Sequence, residues 1–345
     1  MSTNGPLRVE EAQRLFSPEG AYLNTASYGL PPLPAWQAMQ AAADEWRHGR
    51  TGFDGWNESV GASRASWARL VGVPEADVAV GPQVSPFVGT VAASLAPGAR
   101  VLCAEEDFTS VLFPFLAQDL RVEFAPLAEL VDAVTPDTDL VAVSAVQSRD
   151  GRLADLDALA ACGARTFVDA TQAVGWLPFD ASRFDYVVCG GYKWLLGPRG
   201  TAFLYAGAEA RERLVPAAAG WYAAEVPMAN LYGPPLRLAG DARALDVSPA
   251  WHCWVGHAPA LALIERVGVD AIHAHDLALA ARFRAGLGLP DGDSAIVSLE
   301  LPEEAADRLA AAGVRAAGRG GLMRFSFHLF NTEADVDRAL EVLAV

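Results

Sequence analysis

From about residue 77 to about residue 205 the sequence alternates short apolar, β-branched runs with Ala- and Leu-rich stretches of helical character. Few folds accept that alternation. A strand–helix–strand repeat closes into a largely parallel sheet with both faces covered, because each crossover helix must lie over the sheet. The predicted strands are Val78 to Val80, Val101 to Ala104, Val122 to Ala125, Leu140 to Ser144, Thr166 to Asp169, Tyr186 to Cys189 and Ala202 to Tyr205. Val84 to Leu95, Val111 to Leu120 and Leu153 to Ala161 read as helices between them. In such sheets ligands bind beyond the carboxyl ends of the strands, so residues just after a strand carry the most weight.

The Pro- and Gly-rich stretch Pro216 to Gly240 breaks this pattern. After it the sequence predicts helices over Ala258 to Val267, Ile272 to Leu287 and Glu303 to Ala312, and strands over Ala295 to Leu301 and Leu322 to Phe327. Asn331 or Thr332 then caps a last helix that has acids in its first turns. A chain of 345 residues suits a large domain plus a smaller one. The expected organisation is an N-terminal segment over 1–20, a large α/β domain over 21–240 with a mostly parallel seven-stranded sheet, and a smaller α+β domain over 241–345.

A formal charge of -16 argues against nucleic acid and anionic membranes, whose phosphates need clustered Lys and Arg. No apolar run reaches the ~18 residues of a membrane span. Met1 to Glu11 is polar and lacks a secretory pattern, so the expected location is cytoplasmic. The four cysteines, Cys103, Cys162, Cys189 and Cys253, offer neither a disulfide framework nor a CxxC pair. His252, Cys253 and His257, and likewise His273 and His275, lack the partners that complete a tetrahedral site, so no metal is expected. The cations are nearly all arginine, which singles out Lys193.

Lys193 stands in Gly190-Gly191-Tyr192-Lys193-Trp194-Leu195-Leu196-Gly197-Pro198-Arg199-Gly200, shortly after Phe167-Val168-Asp169-Ala170-Thr171-Gln172. A carboxylate at the end of one predicted strand is thus followed by a lysine just after the next, and the two can face one ligand. Pyridoxal 5'-phosphate (PLP) chemistry uses such a pair: the amine forms a Schiff base, and the carboxylate keeps the ring nitrogen protonated so that the ring accepts electrons. Alone, Asp169 reads as a turn acid and Lys193 as a solvated surface lysine. Together, in Gly- and aromatic-rich sequence that desolvates an ammonium and lowers its pKa, they favour the functional reading.

These residues resemble the cofactor signature of the class V aminotransferase family of fold-type I PLP-dependent transferases. That family includes cysteine desulfurases, isopenicillin N epimerase-like proteins, kynureninases and hercynylcysteine sulfoxide lyases. The resemblance runs from Tyr22-Leu23-Asn24-Thr25-Ala26 to Arg324-Phe325-Ser326-Phe327-His328-Leu329-Phe330-Asn331-Thr332, most of the chain. It implies that Gln172 hydrogen-bonds the phenolic oxygen of PLP, which an amide does without titrating. The N-terminus of the helix opened by Gln83, Val84 and Ser85 would receive the phosphate; a bare N-cap is the plainer reading of Ser85. Phe108 stands where the desulfurases stack a histidine, and a phenyl ring stacks without exchanging protons. Tyr192 replaces another family histidine and either contacts phosphate or packs.

Arg324 matches the arginine that takes the substrate α-carboxylate, a task suited to a bidentate guanidinium. Arg319 is a second anion-binding candidate, and Asn24 and Ala26 lie in the matching substrate segment. Arg47, His48 and Arg50 resemble a segment that reaches the partner's active site in a homodimer. The aromatics Trp46, Phe53, Trp56, Trp221, Tyr222, Trp251 and Trp254 suit an interface and a core equally.

Such an enzyme acts on an amino acid or amino-acid conjugate through negative charge at Cα. Persulfide formation needs a loop cysteine, and Ala316 to Met323 has none. The expected reaction is therefore C–S lysis or a related β-elimination, with aminotransferase or epimerase as the alternative. A PLP-binding protein without turnover is the reading from a different class.

Overall fold

The computed structural model describes residues 5–344. Its strands are β1 (Ala21–Tyr22), β2 (Val78–Gly81), β3 (Arg100–Ala104), β4 (Arg121–Ala125), β5 (Leu140–Ser144), β6 (Arg165–Asp169), β7 (Tyr186–Gly190), β8 (Ala202–Ala206), β9 (Ile296–Leu299), β10 (Val314–Arg315), β11 (Ala317–Arg319) and β12 (Leu322–Ser326). The helices are α1 (Val9–Gln13), α2 (Leu33–Arg47), α3 (Phe53–Leu70), α4 (Val84–Ala93), α5 (Thr109–Leu116), α6 (Leu156–Ala160), α7 (Ala208–Glu212), α8 (Trp251–Val267), α9 (Val269–Gly286), α10 (Glu303–Ala311) and α11 (Glu333–Leu343).

Seven strands form one sheet in the order β2-β8-β7-β6-β5-β3-β4. Only β8 runs against its neighbours; the other contacts in the sheet are parallel. All seven are the strands that the sequence pattern predicts. The sheet buries both faces. Val141, Val143, Val168 and Val187 point into one apolar cluster, while Leu140, Ala142, Phe167 and Val188 point into the other, the period-2 alternation of a strand. At the free edge β4 turns largely outward with Arg121 and Glu123 exposed, and charged side chains there discourage pairing with another chain.

The antiparallel sheet β11-β12-β9 forms a second layer, in which Phe325 and Phe327 pack on Leu279 and Phe283 of α9 and Val336 of α11. Residues 21–240 and 241–345 pack on one another. Near the first expected domain limit, β1 pairs in parallel with β10, and Ala21 and Leu23 lie in the apolar cluster of the second layer. Near the second, Asp246 is clamped to the large sheet: it accepts from Arg64 Nη2 at 2.6 Å and from the Val80 amide at 2.7 Å. Helix α8 lies along α2 and α3, with Trp254, Leu261 and Ile264 in the large-sheet cluster.

The pattern reading omitted α2 and α3 and began α8 at Ala258. In the structure α8 starts at Trp251 and runs through Pro259. An internal proline removes one helical hydrogen bond, and burial of the flanking turns against α2 and α3 keeps the helix intact. No helix among the described residues is long and apolar enough to cross a membrane.

Candidate active site

Strands β5, β6 and β7 end at a common rim, with Ser144 opposite Asp169 and Asp169 opposite Val188 in register. Asp169 closes β6, and Lys193 follows β7 in the next turn. Lys193 is the only lysine in the chain. Its side chain and that of Asp169 line one cavity of about 480 Å³ with Gln83, Val84, Ser85, Phe108 and Tyr192, and with Ala26, Ser27, Arg319 and Arg324. Cofactor and substrate sites commonly fall between about 300 and 1,000 Å³.

Burial lowers the Lys193 amine to about 8; Asp169 opposes the shift, and the positive charges of Arg324 and Arg319 reinforce it. A lysine at that value supplies neutral amine near neutral pH, as a nucleophile or base must. Its Nζ lies 5.6 Å from the Phe108 ring centroid and 5.7 Å from that of Tyr192. Burial raises the Asp169 carboxyl, opposed by the hydrogen bond from the Thr171 amide at 2.8 Å and by the charge of Lys193.

The lysine turn is held tightly. The amide of Gly191 donates to Thr201 and that of Gly197 to Gly191, each at 2.9 Å. Leu196 adopts φ 57°, a left-handed conformation that costs a non-glycine residue about 1 kcal/mol or more. From the other side, a Cβ on Gly29 would stand 2.1 Å from the Lys193 carbonyl, so only glycine fits. His328 braces the turn from behind. Its Nε2 lies 2.9 Å from the Trp194 carbonyl and its Nδ1 2.8 Å from Asp276, with both side chains fully buried.

At one end of the cavity Gln83 caps α4, where Val84 and Ser85 present unpaired backbone N–H groups. At the other, Arg324 is nearly inaccessible: Nη1 donates to the Ser148 carbonyl, Nη2 to Ser27 Oγ at 2.7 Å, and Nε is buried without a partner. Burial, and next the charge of Arg319, lowers its guanidinium to about 10.

Two expected site residues are not among those lining the cavity. Gln172 is not among the cavity residues; its Nε2 donates to the Ala26 carbonyl at 3.0 Å and its Oε1 accepts from Trp194 at 2.7 Å. Asn24 also lies off the cavity, bridging to Ser326. Arg47, His48 and Arg50 are exposed, with His48 and Arg50 engaged by Asp44. His257, weighed as a metal ligand, is instead packed against Gly191 and Gly197, uncharged, its pKa lowered by burial to about 3.

The pattern reading missed Asp107, Ser27, Arg149 and Arg199 as cavity residues. Asp107 had a signal of the same kind as Asp169, an acid shortly after a strand. It receives the Ser144 amide, the Ser144 hydroxyl and the Phe108 amide, which fixes the Phe108 backbone at the rim.

A lone desolvated lysine, a buried acid on the adjoining strand, an aromatic wall and a helix N-terminus in one cavity define an α/β enzyme that mounts a phosphate-bearing carbonyl cofactor. The comparisons with known proteins give the family. The Aminotransferase class-V signature matches residues 92–305, and the chain belongs to that family of PLP-dependent enzymes. It is 28% identical to the uncharacterized aminotransferase YcbU of Bacillus subtilis, covering 97% of each chain. It is also 28% identical to the isopenicillin N epimerase of Streptomyces clavuligerus, over 81% of this chain and 83% of that protein. The cystine C-S lyase C-DES, solved with its reaction product cysteine persulfide, has the same fold: TM-score 0.85 at 20% identity, covering 94% of this chain and 97% of that one.

Proposed function

We propose that the protein removes the Cα proton of an amino acid or amino-acid conjugate and completes a β-elimination, with C–S lysis as the favoured reaction. The observation that carries this reading is the convergence of Lys193, Asp169 and Arg324 on one cavity whose described lining includes no cysteine. Buried Cys103 has its thiol pushed up to about 12, and burial raises Cys189 and Cys253 as well, away from the thiolate that persulfide transfer needs.

When bound, PLP supplies an electron sink for negative charge at the substrate Cα. The residues fit it: Lys193 would hold its carbonyl carbon, Asp169 its protonated ring nitrogen, Phe108 one ring face, and the α4 N-terminus with Ser85 its phosphate. Tyr192 adds a hydroxyl whose pKa burial raises, so it stays a neutral donor. Arg324 orients the substrate through its α-carboxylate. Phe108 cannot exchange protons, so Lys193 Nζ is left as the group that takes the Cα proton and returns a proton to product. Lys193 itself is buried.

Transamination is the second reading, favoured by the similarity to YcbU along nearly the whole chain. The proposal includes a cytoplasmic homodimer. One aromatic cluster supports the pairing: Phe53 stacks on Trp251 at 4.9 Å, Trp46 and Trp56 lie against His252, and Trp46 and Phe53 stay exposed. The test incubates PLP-loaded enzyme with cysteine conjugates and common amino acids. Pyruvate and ammonia are expected; accumulation of pyridoxamine phosphate with an amino donor alone would replace the lyase reading by transamination.

A further inference from the structure

The substrate end of the cavity carries more positive charge than one α-carboxylate can use. Arg149, Arg319 and Arg324 line it, and Arg199 lines the same cavity, in a chain whose net charge is -16. The ion pairs of the described residues engage other arginines, such as Arg64, Arg69, Arg152 and Arg282. Among the described residues no cavity acid forms an ion pair with these four arginines. Glu106 pairs with Arg152 at 2.9 Å, Asp107 is taken by Ser144 and Phe108, and Asp169 stands at the lysine end.

Three of these guanidiniums converge. Arg319 Nη2 and Arg324 Nη2 donate to the same hydroxyl, Ser27 Oγ, at 3.2 and 2.7 Å. Arg149 Nη2 donates to the Gly320 carbonyl at 3.3 Å, next to Arg319 in sequence. The position of Arg319 is set by a tight hairpin: Arg319 pairs with Leu322 across Gly320 and Gly321, whose φ values of 54° and 83° are those of a two-residue turn with both central residues left-handed. Exposed Arg319 and buried Arg324 share one neutral hydroxyl, beside a buried Nε without a partner, and an anion between them would relieve their mutual repulsion.

We propose that the substrate bears a second negative group on its side chain, a carboxylate or sulfonate, and that Arg319 with Arg149 receives it while Arg324 holds the α-carboxylate. The assignment rests on the reading of Arg324 given above. It makes Arg319 the residue that separates acidic from neutral amino acids. Arg199, whose guanidinium carbon lies 5.1 Å from the Tyr192 ring, stands nearer the lysine end.

The test measures binding of glutarate and of butyrate to the PLP-loaded enzyme by titration calorimetry, which needs no turnover. Glutarate is expected to bind at least tenfold more tightly. Arg319→Ala erases that difference, Arg149→Ala reduces it, and Arg324→Ala weakens both ligands. Equal affinity for the two acids in the unaltered enzyme, or a difference that survives in Arg319→Ala, overturns the proposal. The reaction reading fails by a separate sign: a visible cofactor band that no amino acid, acidic or neutral, perturbs.

Discussion

At the lysine end of the cavity, Asp169 and Lys193 stand at the ends of adjacent parallel strands, close in sequence and fixed by backbone. At the substrate end, Ser27 and Arg324 meet across 297 positions, and Arg319 reaches the same hydroxyl across 292. The first end is a local product of the strand–turn geometry and takes its chemistry from burial. The second is assembled from three separate stretches of chain and takes its chemistry from unpaired charge. Changes at the first end should therefore act on the rate of the chemical step, and changes at the second on substrate affinity.

The sharpest separation comes from Lys193→Ala, expected to abolish the visible band of lysine-bound PLP and to lower kcat by about 10³-fold or more, the upper range for a positioned acid–base group. Asp169→Asn removes the charge proposed to hold the ring nitrogen protonated and is expected to cost about 10² to 10³ in kcat with KM little changed. A rise in KM instead would break the division between the two ends. Arg324→Ala is expected to do the reverse, raising KM roughly ten- to a hundredfold for the loss of a charge-assisted contact worth roughly 1.5 to 3 kcal/mol.

The two ends also communicate through pH. Only neutral Lys193 amine attacks, so PLP attachment to the cofactor-free protein should accelerate as pH rises and level off above about 8. Well below that value the rate should fall about tenfold per unit, the slope of a single titrating amine. Arg324 and Arg319 hold the amine down, so neutralising either should move the profile to higher pH. The smallest expected effect is that of Phe108→Ala, where loss of aromatic stacking worth about 0.5 to 1.5 kcal/mol weakens PLP binding by roughly two- to tenfold in a spectroscopic titration.

The same contrast governs how much the sequence disclosed. The seven strands of the large sheet, and the residues at their ends, are written in short apolar runs that local physics can read. Asp169 and Lys193 follow from that alone. Ser27 carries no local mark, because what brings it to the cavity is the docking of β12 against the chain around it; Arg149, in the loop after β5, stands five residues past the strand end. Helices α2 and α3 escaped because their burial is set by α8, far along the chain. For Gln172 the expected cofactor contact came from resemblance alone; in the structure its amide bonds Trp194 and the Ala26 carbonyl.

The distance in sequence between Ser27 and Arg324 also orders events during synthesis. A ribosome makes the lysine turn well before it makes Arg324, so the emerging chain can complete the sheet rim before the guanidinium proposed to hold the α-carboxylate exists. Amino acids at cellular concentration meet the finished site only after the C-terminal layer has folded back onto residues 21–27. The layer that carries Arg324 is thus made after the lysine turn, and only its docking on Ser27 completes the cavity.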